Sequence, residues 1–312
     1  MRLAHFTDIH VTAKPQVIPW RALLSKRVIG WLNLRVGGRF EVFAEAEQIT
    51  AACVTDLLKQ QVDHVIVTGD YTGMSLETEF AAAARAVEPL VAADIPTTTL
   101  PGNHDVYVRS AVHEQSFERF FGHWIRSDLP MAVERDSGAG QYPLLRFLGE
   151  DAVLVALRDS RPRAWHDSSG LVGDSQLERF ATLLSDPRIA GRTKILALHY
   201  GLRRANAQPD TRLHGLADAD RLLELAANSG VALAVHGHLH DRFVHPAGSV
   251  SPVAIANPGS LTARGRARAY HVYSVEGPEI HLEARRYNEA LGEFTAWPEA
   301  PGAGRLTARP TQ

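Results

Sequence analysis

The sequence predicts an α/β fold of stacked layers, and two observations carry that expectation. Short β-branched runs alternate with helical patterns, and polar residues cluster just past the ends of several of those runs. Strands are expected at Leu3–Thr7, His64–Thr68, Thr97–Leu100, Ala152–Leu157, Lys194–Leu198 and Leu233–Val235. Helices are expected near Val42–Gln60, Glu77–Ala92, Ala111–Trp124, Ser175–Leu184 and Leu216–Asn228, with Asp174 and Gly230 as caps for the last two. Such alternation builds sheets covered by helices. Past Val253 the strands Val253–Ala256, Ala269–Val275 and Ile280–Tyr287 follow one another with only turns between, which predicts an antiparallel end to a sheet. Residues 1–296 read as one domain carrying a basic, apolar insert at 15–41. The tail 297–312 is rich in Pro, Gly and Ala and is expected to be disordered.

Composition narrows the function classes. With 312 residues, 45% of them hydrophobic, the chain has ample apolar surface for a large core. A net charge of −2 gives no electrostatic footprint for nucleic acid, and no specific nucleic-acid binding is expected. Fifteen histidines point instead to a metal or acid–base site. The single Cys53 excludes an intrachain disulfide and a thiolate-rich zinc site. It lies on the stripe Val42, Ala46, Ile49, Cys53, Leu57, whose spacing predicts a buried packing role on a helix. No apolar run is long enough to span a bilayer, and Leu3–Thr7 begins without a signal-peptide pattern ahead of it. The expected location is cytoplasmic, with peripheral contact at the inner membrane left open by the insert.

Five polar clusters fall at strand ends: Asp8-Ile9-His10, Gly69-Asp70, Gly102-Asn103-His104-Asp105, His199 and Gly237-His238-Leu239-His240. In open α/β sheets ligands bind outside the carboxyl ends of the strands, so these clusters are placed to converge. Carboxylate, imidazole and amide oxygen without sulfur are donors that a hard-to-borderline divalent ion accepts. In Asp8-x-His10 and His238-x-His240 the two-residue spacing puts both side chains on one face of an extended segment. Each cluster alone reads as loop acids and surface histidines. All five, in order and each after a strand, make that bland reading untenable.

The five clusters resemble the signature of the calcineurin-like metallophosphoesterase superfamily: D-x-H, G-D, G-N-H-[DE], H, and G-H-x-H. The resemblance spans positions 8 to 240. It implies a four-layer αββα sandwich with two mixed β-sheets. It further implies two divalent metal ions, manganese, iron or zinc, with one held by Asp8, His10, Asp70 and His240. The other would be held by Asp70, Asn103, His199 and His238, Asp70 bridging the pair. His104 is left unassigned to metal and is expected as the general acid, with a metal-bridging hydroxide as nucleophile. The implied activity is hydrolysis of a phosphodiester or pyrophosphate bond. Asp159-Ser160 with Gly170-Leu171-Val172-Gly173 and Gln176-Leu177 resembles a stretch of the class III cyclic-nucleotide phosphodiesterases, which favours diesters or pyrophosphates over phosphoproteins. One departure is His199-Tyr200-Gly201, where the family often has proline.

Competing readings attach to particular residues. A non-catalytic metal-binding scaffold would be expected to have lost ligands, yet every one is present. Arg203 and Arg204 read first as a surface pair and second as phosphate contacts, while His236 reads as core or as support for the site. The insert from Trp20 to Phe40 carries Arg21, Lys26, Arg27, Arg35 and Arg39, no acidic residue and two tryptophans. Leu24, Val28, Trp31 and Leu32 can share a helical face, the pattern of an interfacial segment, or of a cap over the cleft. The insert is similar to inserts of bacterial metallophosphoesterases related to the UDP-diacylglucosamine pyrophosphatases. That implies a pyrophosphatase acting at the membrane on a UDP-linked acylated sugar of lipid A synthesis.

Overall fold

The computed structural model describes residues 1–14, 18, 20, 24–129 and 141–307. Among the described residues thirteen strands form two mixed sheets. The first contains β1 (Arg2–Phe6), β2 (His64–Val67), β3 (Thr97–Thr99), β10 (Ala269–Glu276), β11 (Glu279–Asn288), β12 (Glu293–Ala296) and β13 (Gly304–Arg305). Its order is β12-β11-β10-β1-β2-β3, with β13 also pairing β11. The second contains β4 (Leu144–Leu148), β5 (Ala152–Ala156), β6 (Thr193–Ala197), β7 (Val231–Val235), β8 (Arg242–His245) and β9 (Ala254–Pro258), in the order β4-β5-β6-β7-β9-β8.

The period-two alternation of side chains sorts the second sheet between two cores. Leu154 and Ala156 of β5, with Ile195 and Ala197 of β6, join the core shared with the first sheet. Val153, Val155 and Leu196 point the other way and pack with Leu177 and Phe180 of α7 (Asp174–Leu184) and Leu222 and Ala226 of α8 (Ala219–Asn228). On the first sheet, α3 (Ala46–Gln60) is fastened by Asp56, which accepts from Tyr270 Oη and the Arg285 guanidinium. Neighbouring α4 (Glu77–Ala92) contributes Phe80, Val87 and Leu90 to the same core. The layers run helix, sheet, sheet, helix, the sandwich the resemblance implied. Cys53 is fully buried on α3.

Several expectations are corrected. The helix expected over Ala111–Trp124 is broken into α5 (Arg109–His113), α6 (Ser116–Phe121) and a 3-10 turn, because Gln115 adopts a left-handed φ of 51°. The strand at Val253–Ala256 does not join the antiparallel end. As β9 it enters the second sheet parallel to β7, while β10, β11 and β12, with β13 beside β11, form the antiparallel end. The tail is not disordered over residues 297–307. Leu306 is 1% exposed, and its N–H donates to the Ile280 carbonyl, so one buried leucine and a short ladder fix what composition leaves loose. Residues 308–312 lie outside the described residues. Edge strands β4 and β8 carry charged residues that mask their apolar period, as edge strands commonly do.

The insert divides between two surfaces. Residues 15–17, 19 and 21–23 lie outside the described residues; beyond them the insert forms α1 (Arg27–Arg35) and α2 (Arg39–Val42). Ile18 and Leu34 pack with Met74 and Leu76, against partly buried Trp31, Phe40 and Tyr107, so the insert is a cap with a small core of its own. Arg27 donates from Nε and Nη2 to the carbonyls of Met74 and Ser75. Trp20, Leu24, Val28, Leu32 and Val36 remain exposed. Trp31 therefore faces inward, separated from the residues expected to share its face. Among the described residues no helix is long and apolar enough to cross a membrane.

Candidate metal centre

The five clusters converge at the carboxyl ends of β1, β2, β3, β6 and β7. Their backbone is unusual. Asp8, His10, Asp70, His238 and His240 all hold positive φ, between 49° and 68°. Non-glycine residues there cost of order 1–3 kcal/mol each and persist where the surroundings over-determine them, typically at functional sites. Close approach explains two glycines: a Cβ on Gly102 would lie 2.1 Å from Asp70 Oδ1, and one on Gly237 would lie 2.5 Å from Asp8 Oδ2.

Backbone carbonyls fix the imidazole tautomers, since a carbonyl can only accept. His10 Nδ1 lies 3.3 Å from Thr72 O, His199 Nδ1 2.7 Å from Thr68 O, and His238 Nε2 3.0 Å from His214 O. Each ring donates there, and its other nitrogen presents a lone pair inward. These lone pairs meet other acceptors. His10 Nε2 is 2.9 Å from His240 Nε2, and His240 Nε2 is 3.2 Å from Asp8 Oδ1. Asp8 Oδ1 is buried without a hydrogen-bond partner. On the other side, Asn103 Oδ1 lies 3.0 Å from both His199 Nε2 and His238 Nδ1. Between the groups, Asp70 Oδ2 is 3.5 Å from His10 Nε2 and 3.5 Å from His199 Nε2. His240 can carry its proton on either nitrogen, but Asn103 Oδ1 and Asp70 Oδ2 each face two ring lone pairs, and acceptors aimed at one another repel unless cations intervene. The donor set therefore fits metal ions on both sides of Asp70, and Asp8, His10, Asp70 and His240 stand close enough to hold one.

Electrostatics agree. Burial raises the Asp70 carboxyl well above the usual range, with Asp8 and Asp105 adding to the rise. Burial holds His10 down at about 3, so its ring stays neutral and able to ligate. A second group, Asp210, His214 and His238, also lies within ligating distance. Within that group, His238 spends Nε2–H on the His214 carbonyl and faces Asn103 with Nδ1.

Further polar residues brace the loops. Asp105 accepts from the N–H groups of Thr72 and Gly102, tying the third cluster to the second. Asp159 accepts from the N–H groups of His199 and Tyr200, and Gln176 holds Arg158 through its N–H and carbonyl. The Asp159–Gln176 stretch thus positions His199. Ser260 Oγ donates to the Asp8 carbonyl. His236 is fully buried beside Asn257, and Arg203 pairs with Asp220 at 2.7 Å, so neither faces the cleft as a substrate contact.

The cleft over the centre has a volume of about 340 Å³ and is lined by Asp70, Asn103, His104, His238 and His240, joined by Arg39, Ser168, His214 and Arg266. A neighbouring hollow of about 330 Å³ shares His214 and Leu239 with it. Arg39, Ser168, His214 and Arg266 are lining residues that the sequence did not place at the cleft. Arg39 belongs to the basic run of the cap, yet its Nη2 lies 3.1 Å from His104 Nε2. His104 donates from Nδ1 to Gly73 O at 2.6 Å, so its Nε2 accepts from Arg39. Burial first, then Arg39, holds the His104 pKa well below its ordinary value.

This is the fold and donor set of a metal-dependent phosphoesterase. The chain belongs to the calcineurin-like phosphoesterase family, whose model matches residues 1–242. Its structure is similar to a dimetal phosphatase from Danio rerio, at TM-score 0.60 and 12% identity over 95% of this chain and 98% of that one. It is also similar to the purple acid phosphatase PPD1 from yellow lupin seeds, at TM-score 0.57 and 14% identity, covering 95% of this chain and 52% of that one. No curated protein matches the chain.

Proposed function

We propose that the protein hydrolyses phosphodiester or pyrophosphate bonds at a centre of two divalent metal ions, one held by Asp8, His10, Asp70 and His240 and the other by Asp70, Asn103, His199 and His238. The observation that carries this reading is Asp70 Oδ2, equally distant from a histidine of each group at 3.5 Å. Two such ions neutralise the substrate anion and lower the pKa of a water between them. The chain's own residues orient the rest. The carbonyls of Thr68, Thr72 and His214 fix the ligand rings. His104 projects from the loop after β3 beside the ligand Asn103 and is the group to protonate the leaving oxygen. Its Nε2 accepts from Arg39 in this arrangement, so an anion entering the cleft must draw Arg39 away before Nε2 can carry that proton.

A second reading makes the substrate lipid-linked and places the protein at a membrane surface. It is favoured by the exposed apolar row Trp20, Leu24, Val28, Leu32 and Val36 on the cap whose inner side carries Arg39. A substrate panel with manganese-loaded protein tests both readings: a simple monoester, a simple diester, cyclic nucleotides, a nucleoside diphosphate sugar, and a UDP-linked lipid in detergent. Turnover restricted to monoesters would sink the diester and pyrophosphate reading. Vesicle co-sedimentation, repeated with Trp20, Leu24 and Val36 all changed to alanine, decides the membrane reading; absence of vesicle binding and of lipid turnover would end it.

A further inference from the structure

Arg39 is a cation placed without a carboxylate partner. It opens α2, and among the described residues its hydrogen-bonding neighbours are imidazoles: Nη2 lies 3.4 Å from His10 Nδ1 and 3.1 Å from His104 Nε2. The His10 contact is proximity, because His10 Nδ1 already donates to the Thr72 carbonyl. The remaining guanidinium N–H groups are left for another acceptor. Burial lowers the Arg39 pKa, yet a guanidinium stays charged at any ordinary pH.

Three other arginines of the cap and cleft are already engaged. Arg27 donates to Met74 and Ser75 carbonyls, Arg266 pairs with Asp241, and Arg203 pairs with Asp220. Arg39 alone of these pairs with neither carboxylate nor carbonyl. It is also held in place: its side chain lies over the Phe43 ring at 5.2 Å, and Phe43 in turn packs on His10 at 4.6 Å. The cationic edge continues past it, since Tyr107 stacks on His104 and Lys26 Nζ lies 4.7 Å over the Tyr107 ring.

We infer that Arg39 is a specificity-determining residue that binds the second phosphate of a pyrophosphate substrate, the one carried by the leaving group. This rests on the proposed hydrolytic reading and narrows it. The phosphoryl group under attack belongs over the ligands. The leaving oxygen belongs beside His104, and in a pyrophosphate that oxygen carries the second phosphate. Arg39, hydrogen-bonded to His104, stands where that phosphate's oxygens fall, and its planar fork suits two of them. A simple diester with an uncharged leaving group offers Arg39 nothing there. Hydrolysis needs only water as co-reactant: the P–O bond to the leaving phosphate breaks as a P–O bond to the water oxygen forms, the leaving oxygen takes the proton carried by His104, the proton released by the water replaces it through solvent, and the leaving phosphate is held by the guanidinium.

The test compares wild type, Arg39→Ala and Arg39→Lys, all manganese-loaded, desalted and matched in thermal melting. The activity arm measures kcat/KM on a nucleoside diphosphate sugar and on a diester with an alkoxide leaving group, whose departure depends on protonation by His104. The binding arm measures calorimetric affinity for methylenediphosphonate and for methylphosphonate, neither of which is hydrolysed. Loss of a charge-assisted contact predicts a fall of about 10–100-fold for the pyrophosphate and the diphosphonate in Arg39→Ala. Methylphosphonate affinity should change less than about 3-fold, and the diester rate should fall less than the pyrophosphate rate, with partial rescue by lysine. An equal fall on both classes would make Arg39 a support for His104 and overturn the inference; so would no fall at all. If wild type cleaves neither substrate, the hydrolytic reading fails on its own, and the diphosphonate affinities still decide the role of Arg39.

Discussion

His64 opens β2 and lies between the two sheets, 4% exposed, its Nε2 2.9 Å from Thr98 Oγ1 on β3. Burial, with Arg146 adding, lowers its pKa from 6.5 to about 3. The folded protein therefore holds the ring neutral where the unfolded chain would protonate it. A base whose folded pKa is depressed contributes its full stability above pH 6.5 and loses it as pH falls toward 3. At about pH 5 the unfolded ring binds a proton that the folded ring refuses, over roughly 1.5 pH units, which amounts to about 2 kcal/mol. That is a large share of a typical net stability of roughly 5–15 kcal/mol. The perturbation is His64→Gln, whose amide can keep a bond to Thr98 but cannot titrate. Denaturant unfolding at about pH 7.5 and about pH 5, in chelator so that metal loss does not contribute, gives the change in stability for each protein. Wild type should lose about 2 kcal/mol more than the variant between the two conditions. Equal losses in the two proteins would refute the account of His64 as a buried neutral base.

Two further predictions concern the centre itself. Asp70→Ala should abolish activity and lower bound metal on both sides of the cleft, read by elemental analysis of the purified protein; full occupancy in the variant would falsify the bridging assignment. His104→Ala should keep its metals and lose roughly 10²–10⁴-fold in turnover, with a smaller loss for nitrophenolate leaving groups that need little protonation. Equal losses for activated and unactivated substrates would replace the acid role by charge stabilisation.

Much of the candidate site was legible because metal ligation is local in sequence. Asp8 and His10, Asn103 and His104, and His238 and His240 occupy short loops after apolar runs, and each loop declares its chemistry through residue type and spacing. The alternation of strands and helices likewise declares layers, since period and burial are properties of single elements. Other features needed the tertiary structure. The order of each sheet, with β10 beside β1 and β9 beside β7, depends on strands far apart in the chain. The ordered segment 297–307 depends on Leu306 meeting β11, which composition cannot foresee. Arg39 is the clearest case. In the sequence it is one of five basic residues in the acid-free stretch from Trp20 to Phe40, and its neighbours suggest only a solvated or membrane-facing charge. The cap core formed by Ile18, Leu34, Met74 and Leu76 sets α2 over the cleft, and only then does the guanidinium reach His104, 65 positions further along the chain. A charge takes its meaning from what surrounds it, and those surroundings come from segments that only the fold brings together.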